Sequence, residues 1–168
     1  NTPGGHVSDY KWHHAAAVFD GSTYKVYLDG TEVISVTSST VVYSQNTSQI
    51  IIGTTADGSA AQAWKGAQDE IRVSNVARYT ANFTPDTTEF SSDANTKLLI
   101  HSNTTMGSTT FTDSSSAGHT ITATGDVIHV APKIGTGLGV FDGVASYLES
   151  PDSPDWDFGS GDFTIEYW

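Results

Sequence analysis

Cysteine is missing from this chain of 168 residues, so disulfides and thiolate-bound zinc sites are excluded. Basic residues are scarce as well: 7 Lys and Arg stand against 19 Asp and Glu, and the formal net charge is −12. Because phosphate binding needs a basic patch, a nucleic-acid partner is not expected. The surplus of carboxylates suits an extracellular protein that binds a hard cation, or simply a solvated acidic surface.

Long apolar runs and helical periodicity are also lacking. No run of ~20 apolar residues occurs, so membrane insertion is not expected. No segment longer than one turn repeats its apolar residues with a helical period. The chain has instead 16 glycines, many Ser and Thr residues and only 15% charged residues, which is typical of short strands joined by turns. We therefore predict one all-β domain, long enough to bury about 70% of its unfolded surface.

The clearest local pattern is a three-stranded meander near the start of the chain. An apolar, β-leaning run over residues 12–19 stops at Asp20-Gly21-Ser22, and residues 24–28 then alternate as a half-buried strand does. Asp29-Gly30 suits a two-residue hairpin turn, and a third strand follows at 32–36. Because a meander must bury its apolar face, the rest of the chain is expected to supply a second sheet.

Two further runs are predicted strands with different surroundings. Residues 49–53 form a short continuous apolar run, which favours a central position covered on both faces. Residues 67–74 alternate, which predicts that Ile71 points inward while Glu70 and Arg72 point outward.

The remainder of the chain is predicted to continue as strands after one interruption. A capped helical turn is predicted at residues 75–79. Residues 82–96 combine a proline with clustered Asp, Thr and Ser, and are the most linker-like stretch. Strands are then expected at 97–101 and, with clear alternation, at 162–168.

Three motifs spread over nearly the whole chain share the pattern of one known family. Residues 12–18 (WHHAAAV) with 24–30 (YKVYLDG) are similar to a WHHVAVV and LKLYVDG hairpin, residues 69–85 to a closing strand and exit, and residues 99–168 to an opening half. The family that these motifs resemble is the laminin-G-like group of the concanavalin A-like lectin/glucanase superfamily. The versions most like them are repeated domains of phage tail proteins and of marine viral or bacterial surface proteins.

The resemblance implies a two-sheet antiparallel jelly-roll sandwich over residues 1–168, with its halves in permuted order. Residues 97–168 resemble the family's N-terminal half and residues 1–90 its C-terminal half, with 82–96 as the linker. The chain is then either an excised window of a tandem array or a circular permutant, which sandwiches tolerate. Strands missing between the halves would leave open edges that pair with neighbouring repeats or another copy.

The resemblance also implies a structural calcium ion as cofactor. Members of the superfamily often hold calcium between the end of the first strand and the Asp that opens the closing strand. In this chain those positions are Asn103 and Asp69, and Asp113 is a possible third ligand. Asn103 stands where the family usually has an acidic residue, which weakens the ligand set for a hard cation. The alternative is that Asp69 and Asp113 are turn residues that accept backbone N–H groups.

Loop aromatics suggest a glycan or cell-surface polysaccharide as partner. Sugars are usually held by an aromatic platform with neighbouring hydrogen-bonding groups in a shallow loop site. The ligand-binding residues predicted on loops are Trp64, Tyr10, His6 and Asn46. The alternative is that loop aromatics cap the core, as expected of Trp12, Trp156 and Trp168.

Catalysis is not expected. Glycoside hydrolysis needs two carboxylates at a set separation. Asp162 and Glu166 share one face of a strand, but no third acid follows, and an edge strand with outward carboxylates explains them better. We therefore expect a non-catalytic glycan-binding or adhesion module of an extracellular or virion-surface protein. A structural spacer repeat and, less favoured, a glycoside hydrolase-like domain are the alternatives.

Overall fold

Residues 10–37, 49–55 and 62–168 are described by the structure, a computed structural model. Their regular structure is β apart from 3₁₀ turns such as Pro154–Trp156. Within these residues, no helix is long and apolar enough to cross a membrane. In chain order the strands are β1 (Ala15–Phe19), β2 (Thr23–Leu28), β3 (Thr31–Thr37), β4 (Ile50–Ile52), β5 (Lys65–Gln68), β6 (Ile71–Ser74), β7 (Thr96–Ile100), β8 (Thr122–Thr124), β9 (Ile128–Val130), β10 (Leu138–Asp142), β11 (Tyr147–Ser150) and β12 (Phe163–Tyr167).

The strands form one large sheet and two small ones. The large sheet has the order β3-β2-β1-β12-β6-β7, and the small sheets have the orders β5-β10-β9 and β4-β11-β8. Every paired strand runs antiparallel to its neighbour. The predicted meander is confirmed as β1, β2 and β3. Its second turn has positive φ at both Asp29 and Gly30, as a type I′ hairpin requires.

Strand β12 joins the two ends of the sequence in the large sheet. It pairs with β1 on one side, where Ala15 faces Tyr167, and with β6 on the other, where Val73 faces Ile165. Strands from residues 10–90 and from residues 97–168 thus alternate within a single sheet.

The main core lies between the large sheet and both small sheets. Side chains of β6 and β7 meet those of β10 and β11 there, so the predicted all-β antiparallel sandwich is confirmed. Its buried members are Ile71, Val73, Leu98, Ile100, Phe111, Val127, Phe141 and Leu148.

The opposite face of the large sheet is covered by residues 75–95, which we call the back segment. Tyr79 and Phe83 of this segment pack on β1 and β2 around Tyr27. Phe90 packs further along with Leu99 and Trp168. The segment carries no regular structure, yet its aromatic side chains close a second apolar layer.

The strand predicted over 67–74 is broken in the structure. Glu70 adopts a left-handed backbone with φ of 52°, and the chain passes there from β5 in a small sheet to β6 in the large sheet. Asp69 pairs through its backbone with Trp168, at 2.8 and 2.9 Å. The prediction that Glu70 and Arg72 point outward into solvent was wrong, because both side chains are buried.

Two other local predictions were also wrong. The apolar run at 49–53 is not covered on both faces, because the three residues of β4 are only half-buried, and among the described strands β4 lies at the edge of its sheet. Residues 75–79 contain no helical turn, because their backbone instead bonds to the sheet, where Arg78 N donates to Thr164 Oγ1 at 2.9 Å.

Candidate functional site

Two of the four predicted sugar-binding residues, Tyr10 and Trp64, lie on one open groove. The groove has a volume of about 480 Å³. Tyr10 is fully exposed, and Trp64 is 41% exposed although its indole is a large apolar group. His6 and Asn46 lie outside the described residues. The residues that line this aromatic groove are Tyr10, Lys11, Trp12, Trp64, Lys65, Gly66 and Ala67.

The start of β5 positions the Trp64 indole. The Trp64 backbone N–H donates to the Gly53 carbonyl at 2.7 Å, which ties the residue to the end of β4. A Cβ atom on Gly66 would lie 3.3 Å from Trp64 Nε1, and Gly66 has φ of 152°. Glycine at this position therefore lets the indole lie close over the backbone of β5.

A second hollow of about 110 Å³ adjoins the groove and shares Lys11, Trp12, Trp64 and Ala67 with it. Its wall includes Tyr167 of β12, whose ring meets the Trp64 indole edge-on at a centroid distance of 6.4 Å. The shared residues make the two hollows one continuous surface, with aromatic side chains in the wall of both.

The buried ionic centre of the molecule lies elsewhere, around Glu166 of β12. One carboxylate oxygen accepts from Arg72 Nε at 2.8 Å and from Nη2 at 2.7 Å. The other accepts from the Tyr79 hydroxyl at 2.6 Å and lies 3.2 Å from His14 Nε2. Because a carboxylate only accepts, His14 Nε2 carries the proton. Each oxygen of Glu166 is thus paired between the large sheet and the back segment.

These partners set the ionisation of the cluster. Burial raises the pKa of Glu166, but the hydrogen bond from His14, the charge of Arg72 and the hydrogen bond from Tyr79 outweigh it, and the pKa lies below its ordinary value. Burial and the neighbouring Glu166 carboxylate raise the pKa of the Tyr79 phenol well above its usual range. Glu166 is therefore an ionised, fully compensated structural carboxylate.

The interpretation of β12 as an edge strand with outward carboxylates was wrong. Strand β12 lies between β1 and β6, and Glu166 is fully buried. Asp162 is half-buried and lines a hollow that is separate from the aromatic groove. It precedes Glu166 by four residues, which corresponds to about 13 Å along an extended chain. Asp162 and Glu166 therefore do not face one cleft, as the two carboxylates of a glycoside hydrolase must.

The first predicted calcium ligand, Asp69, lies buried at the bend between β5 and β6. Its Oδ2 accepts the backbone N–H groups of Lys133 and Ile134 at 3.1 and 2.8 Å, and Oδ1 accepts that of Glu70 at 2.9 Å. Burial and, to a smaller extent, the adjacent Glu70 carboxylate raise the pKa of Asp69 to about 6, although the three hydrogen bonds oppose the rise. Asp69 joins the loop at 133–134 to this bend.

Asn103 binds protein groups in the same region. Its Oδ1 accepts from the Thr136 backbone N–H at 2.6 Å, and its Nδ2 donates to Glu89 at 2.7 Å. Close by, the Glu70 carboxylate accepts from His101 Nδ1 at 2.8 Å and from the Phe90 N–H at 2.6 Å. The hydrogen bond with Glu70 raises the pKa of His101.

Asp113, the third predicted ligand, closes the free edge of β7. Its carboxylate accepts the N–H groups of Leu99, Ser115 and His119 at 2.8–2.9 Å, and the Ser115 hydroxyl at 2.7 Å. Within the described part of the chain, no three His, Asp or Glu side chains lie close enough together to share a metal ion. A calcium ion would have to displace N–H donors from Asp69 and Asn103, and its binding stays a prediction.

Reasoning from the sequence missed two features of the groove. Trp12 was expected in the core; it is half-buried and packs against the buried cluster around Trp168, and it also lines the groove beside Tyr10, which was not expected. Lys11 and Lys65 also line it and were not singled out. The run Tyr10-Lys11-Trp12, just before β1, was the available signal.

A comparison with protein families supports the laminin-G-like resemblance. Residues 2–82, just under half of the chain, match a laminin-G family model described as the concanavalin A-like lectin/glucanases superfamily. That segment includes β1 to β6 and all seven groove residues. No curated protein and no solved structure gives a significant match to the chain.

Proposed function

We propose that this chain, in which residues 2–82 match a model of the concanavalin A-like lectin/glucanases superfamily, is a non-catalytic carbohydrate-binding module with an adhesive role at an extracellular or virion surface. The saccharide binds in the aromatic groove. The superfamily fits a carbohydrate-binding or adhesion module, while the choice of groove comes from its geometry.

The observation that carries the proposal is the exposure of aromatic rings around an open groove. Trp64, Tyr10 and Trp12 line the groove, whose volume of about 480 Å³ is large enough to hold a sugar ring in a shallow site. Sugars offer C–H faces that pack on aromatic rings and hydroxyls that bond to nearby polar groups. The lysine side chains of the groove and the backbone at the outer edge of β5, where no described strand pairs, supply such partners.

A non-catalytic role is supported by the state of the buried acids. Glu166 is ionised and bonded to Arg72 and Tyr79, and Glu70 is bonded to His101. Neither carboxylate lines the aromatic groove. A hydrolase would need an acid and a base on both sides of a bound glycosidic bond.

The proposal is tested with a glycan array, repeated with calcium and with a chelator. We expect a defined set of glycans to bind, and Trp64→Ala to reduce that binding at least tenfold. Met106→Ala is the matched control, because Met106 is also an exposed apolar side chain but lies outside the groove. If no glycan binds, or if both variants bind as the wild type does, the groove is not the site. A melting temperature indifferent to calcium would remove the metal prediction.

One observation favours a second function, that of a structural spacer between repeats. All seven residues of β3 are exposed, with Val33, Ile34 and Val36 among them. Within the described residues, no strand pairs with the outer edge of β3. Such an edge accepts a strand from another chain. A silent glycan array, together with a mass by light scattering that rises with protein concentration, would favour the spacer.

A further inference from the structure

The basic residues of this acidic chain are unevenly placed. Four of the seven form ion pairs with carboxylates, namely Lys25, Arg72, Arg78 and Lys97. Three basic residues lie at the aromatic surface: Lys11 and Lys65 line the groove, and Lys133 Nζ lies 4.7 Å from the ring centre of Trp168, which lines the adjoining hollow.

Described carboxylates do not line this surface, although Asp29 bonds at 2.7 Å to His13, which lines the hollow. Among the described residues that line the groove and the hollow, none is Asp or Glu, although the chain has 19 of them. Asp142 is the cross-strand neighbour of Lys65, but its carboxylate turns toward its own loop and accepts the Val144 N–H and the Ser146 hydroxyl, both at close range. Neither Lys65 nor Lys133 forms an ion pair with a described carboxylate.

The net charge of −12 does not cancel this local effect. At physiological ionic strength, charges on the surface are screened beyond about 8 Å. A ligand in the groove therefore responds to the lysines around it more than to carboxylates on the rest of the surface. A positive, aromatic-lined groove on an acidic protein attracts an anion with an apolar ring face.

From this placement, we propose that the groove selects acidic saccharides, in which carboxylate or sulfate groups bind near Lys65 in the groove and near Lys133 beside Trp168, while the sugar ring packs on Trp64. The inference rests on the proposed carbohydrate-binding function and adds the charge of the ligand. Uronic acids and sulfated sugars share this chemistry, and the experiment separates them.

The test compares ligands that differ in charge alone. Binding of a galacturonate tetramer, its methyl ester, a sulfated galactose tetramer and the unsulfated tetramer is measured by calorimetry at 0.15 M salt. We expect at least tenfold tighter binding of one acidic tetramer than of its neutral counterpart, with the stronger pair identifying carboxylate or sulfate as the preferred group. Raising the salt to 0.5 M should weaken the acidic ligand and leave the neutral one unchanged.

Variants of equal net charge locate the effect. Lys65→Gln and Lys133→Gln should each weaken the acidic tetramer about fivefold more than they weaken the neutral one. Lys97→Gln removes the same charge at a distant ion pair with Asp155, and it should leave both ligands unaffected. An oligothymidylate of equal charge serves as the polyanion control.

The outcomes distinguish this inference from the function beneath it. Equal binding of acidic and neutral tetramers would overturn charge selection and leave carbohydrate binding intact. Equal loss in Lys97→Gln, or oligothymidylate binding as tight as the acidic sugar, would show non-specific charge attraction and also overturn it. Binding of no saccharide, charged or neutral, would remove the proposed function itself.

Discussion

The Glu166 cluster and the aromatic groove are two places where polar and aromatic side chains meet, and they differ in almost every other respect. In the cluster, the Glu166 carboxylate is fully buried and bonded to Arg72, Tyr79 and His14. In the groove, Trp64 and Tyr10 are exposed around an open volume. The residue types of the cluster are those common in catalytic sites, whereas the aromatic residues of the groove are of types usually found in a protein core.

The difference teaches that pairing and access separate a structural centre from a binding site. Glu166 has no oxygen left for a substrate, because both are held by donors from the large sheet and the back segment. Trp64 keeps a large apolar surface in contact with water, which is unfavourable unless a ligand or partner covers it. Four predictions break or sharpen this contrast.

Loss of the Glu166 carboxylate is expected to have the largest effect on stability. Glu166→Ala leaves the buried Arg72 guanidinium without its counterion, and breaking such a pair costs about 3–5 kcal/mol of unfolding free energy. Urea unfolding measures the change. Glu32→Ala removes a surface carboxylate from a weak pair with Lys25 and should cost less than about 0.5 kcal/mol. Equal losses in the two variants would show that the cluster is not a structural centre.

Asp113→Ala is expected to cause the second-largest loss of unfolding free energy. It removes one acceptor for three backbone N–H groups and a hydroxyl at the edge of β7, at a cost of about 2–3 kcal/mol. Asp126→Ala is the control, because Asp126 is exposed and its loss should be nearly neutral. A mild effect of Asp113→Ala, with glycan binding or calcium response changed instead, would assign Asp113 to a ligand site.

The raised pKa of Asp69 predicts a smaller change in unfolding free energy, one that depends on pH. Its pKa is raised from 3.8 to about 6 in the folded chain, so the folded state binds this proton more tightly than the unfolded state. Raising the pH from about 4 to 6 should therefore lower the unfolding free energy of the wild type relative to Asp69→Asn. Urea unfolding of both proteins at several pH values measures the difference. A difference that stays constant from pH 4 to 7 would refute the raised pKa.

Trp64→Ala should have the smallest effect on stability, although it removes glycan binding. The side chain is 41% exposed, and its main aromatic contact is the edge-on approach to Tyr167. We expect a loss of less than about 1 kcal/mol in urea unfolding. A loss as large as that of Glu166→Ala would mean that Trp64 covers the core and would remove it from the binding site.

Local pattern was enough to predict the meander and its turns. Asp29-Gly30 has few alternatives to a tight hairpin, and the alternation around it extends over whole strands. The pattern in 67–74 also predicted correctly that Ile71 and Arg72 point to opposite faces. It could not predict burial of Arg72, because the cover comes from the back segment, whose irregular backbone has no periodic signal.

The groove was predictable only in part for a similar reason. Trp64 and Tyr10 stood out as loop aromatics, but they are 54 positions apart in the sequence, and the sheet pairing that brings them together is long-range. Trp12 was assigned to the core because most tryptophans near a strand are buried. Lys65 could not be assigned to the groove from the sequence, because its place there depends on where β5 lies relative to residues 10–12.

The most direct test of the account is an NMR titration of the tryptophan indole N–H signals with a glycan that binds on the array. Trp64 and Trp12 line the groove, whereas Trp156 lies in another part of the molecule, with its indole bonded to the Pro151 carbonyl. We expect the Trp64 and Trp12 signals to shift in a saturable manner while the Trp156 signal stays in place. A glycan that binds while moving the Trp156 signal, or while leaving those of Trp64 and Trp12 unchanged, would contradict the account.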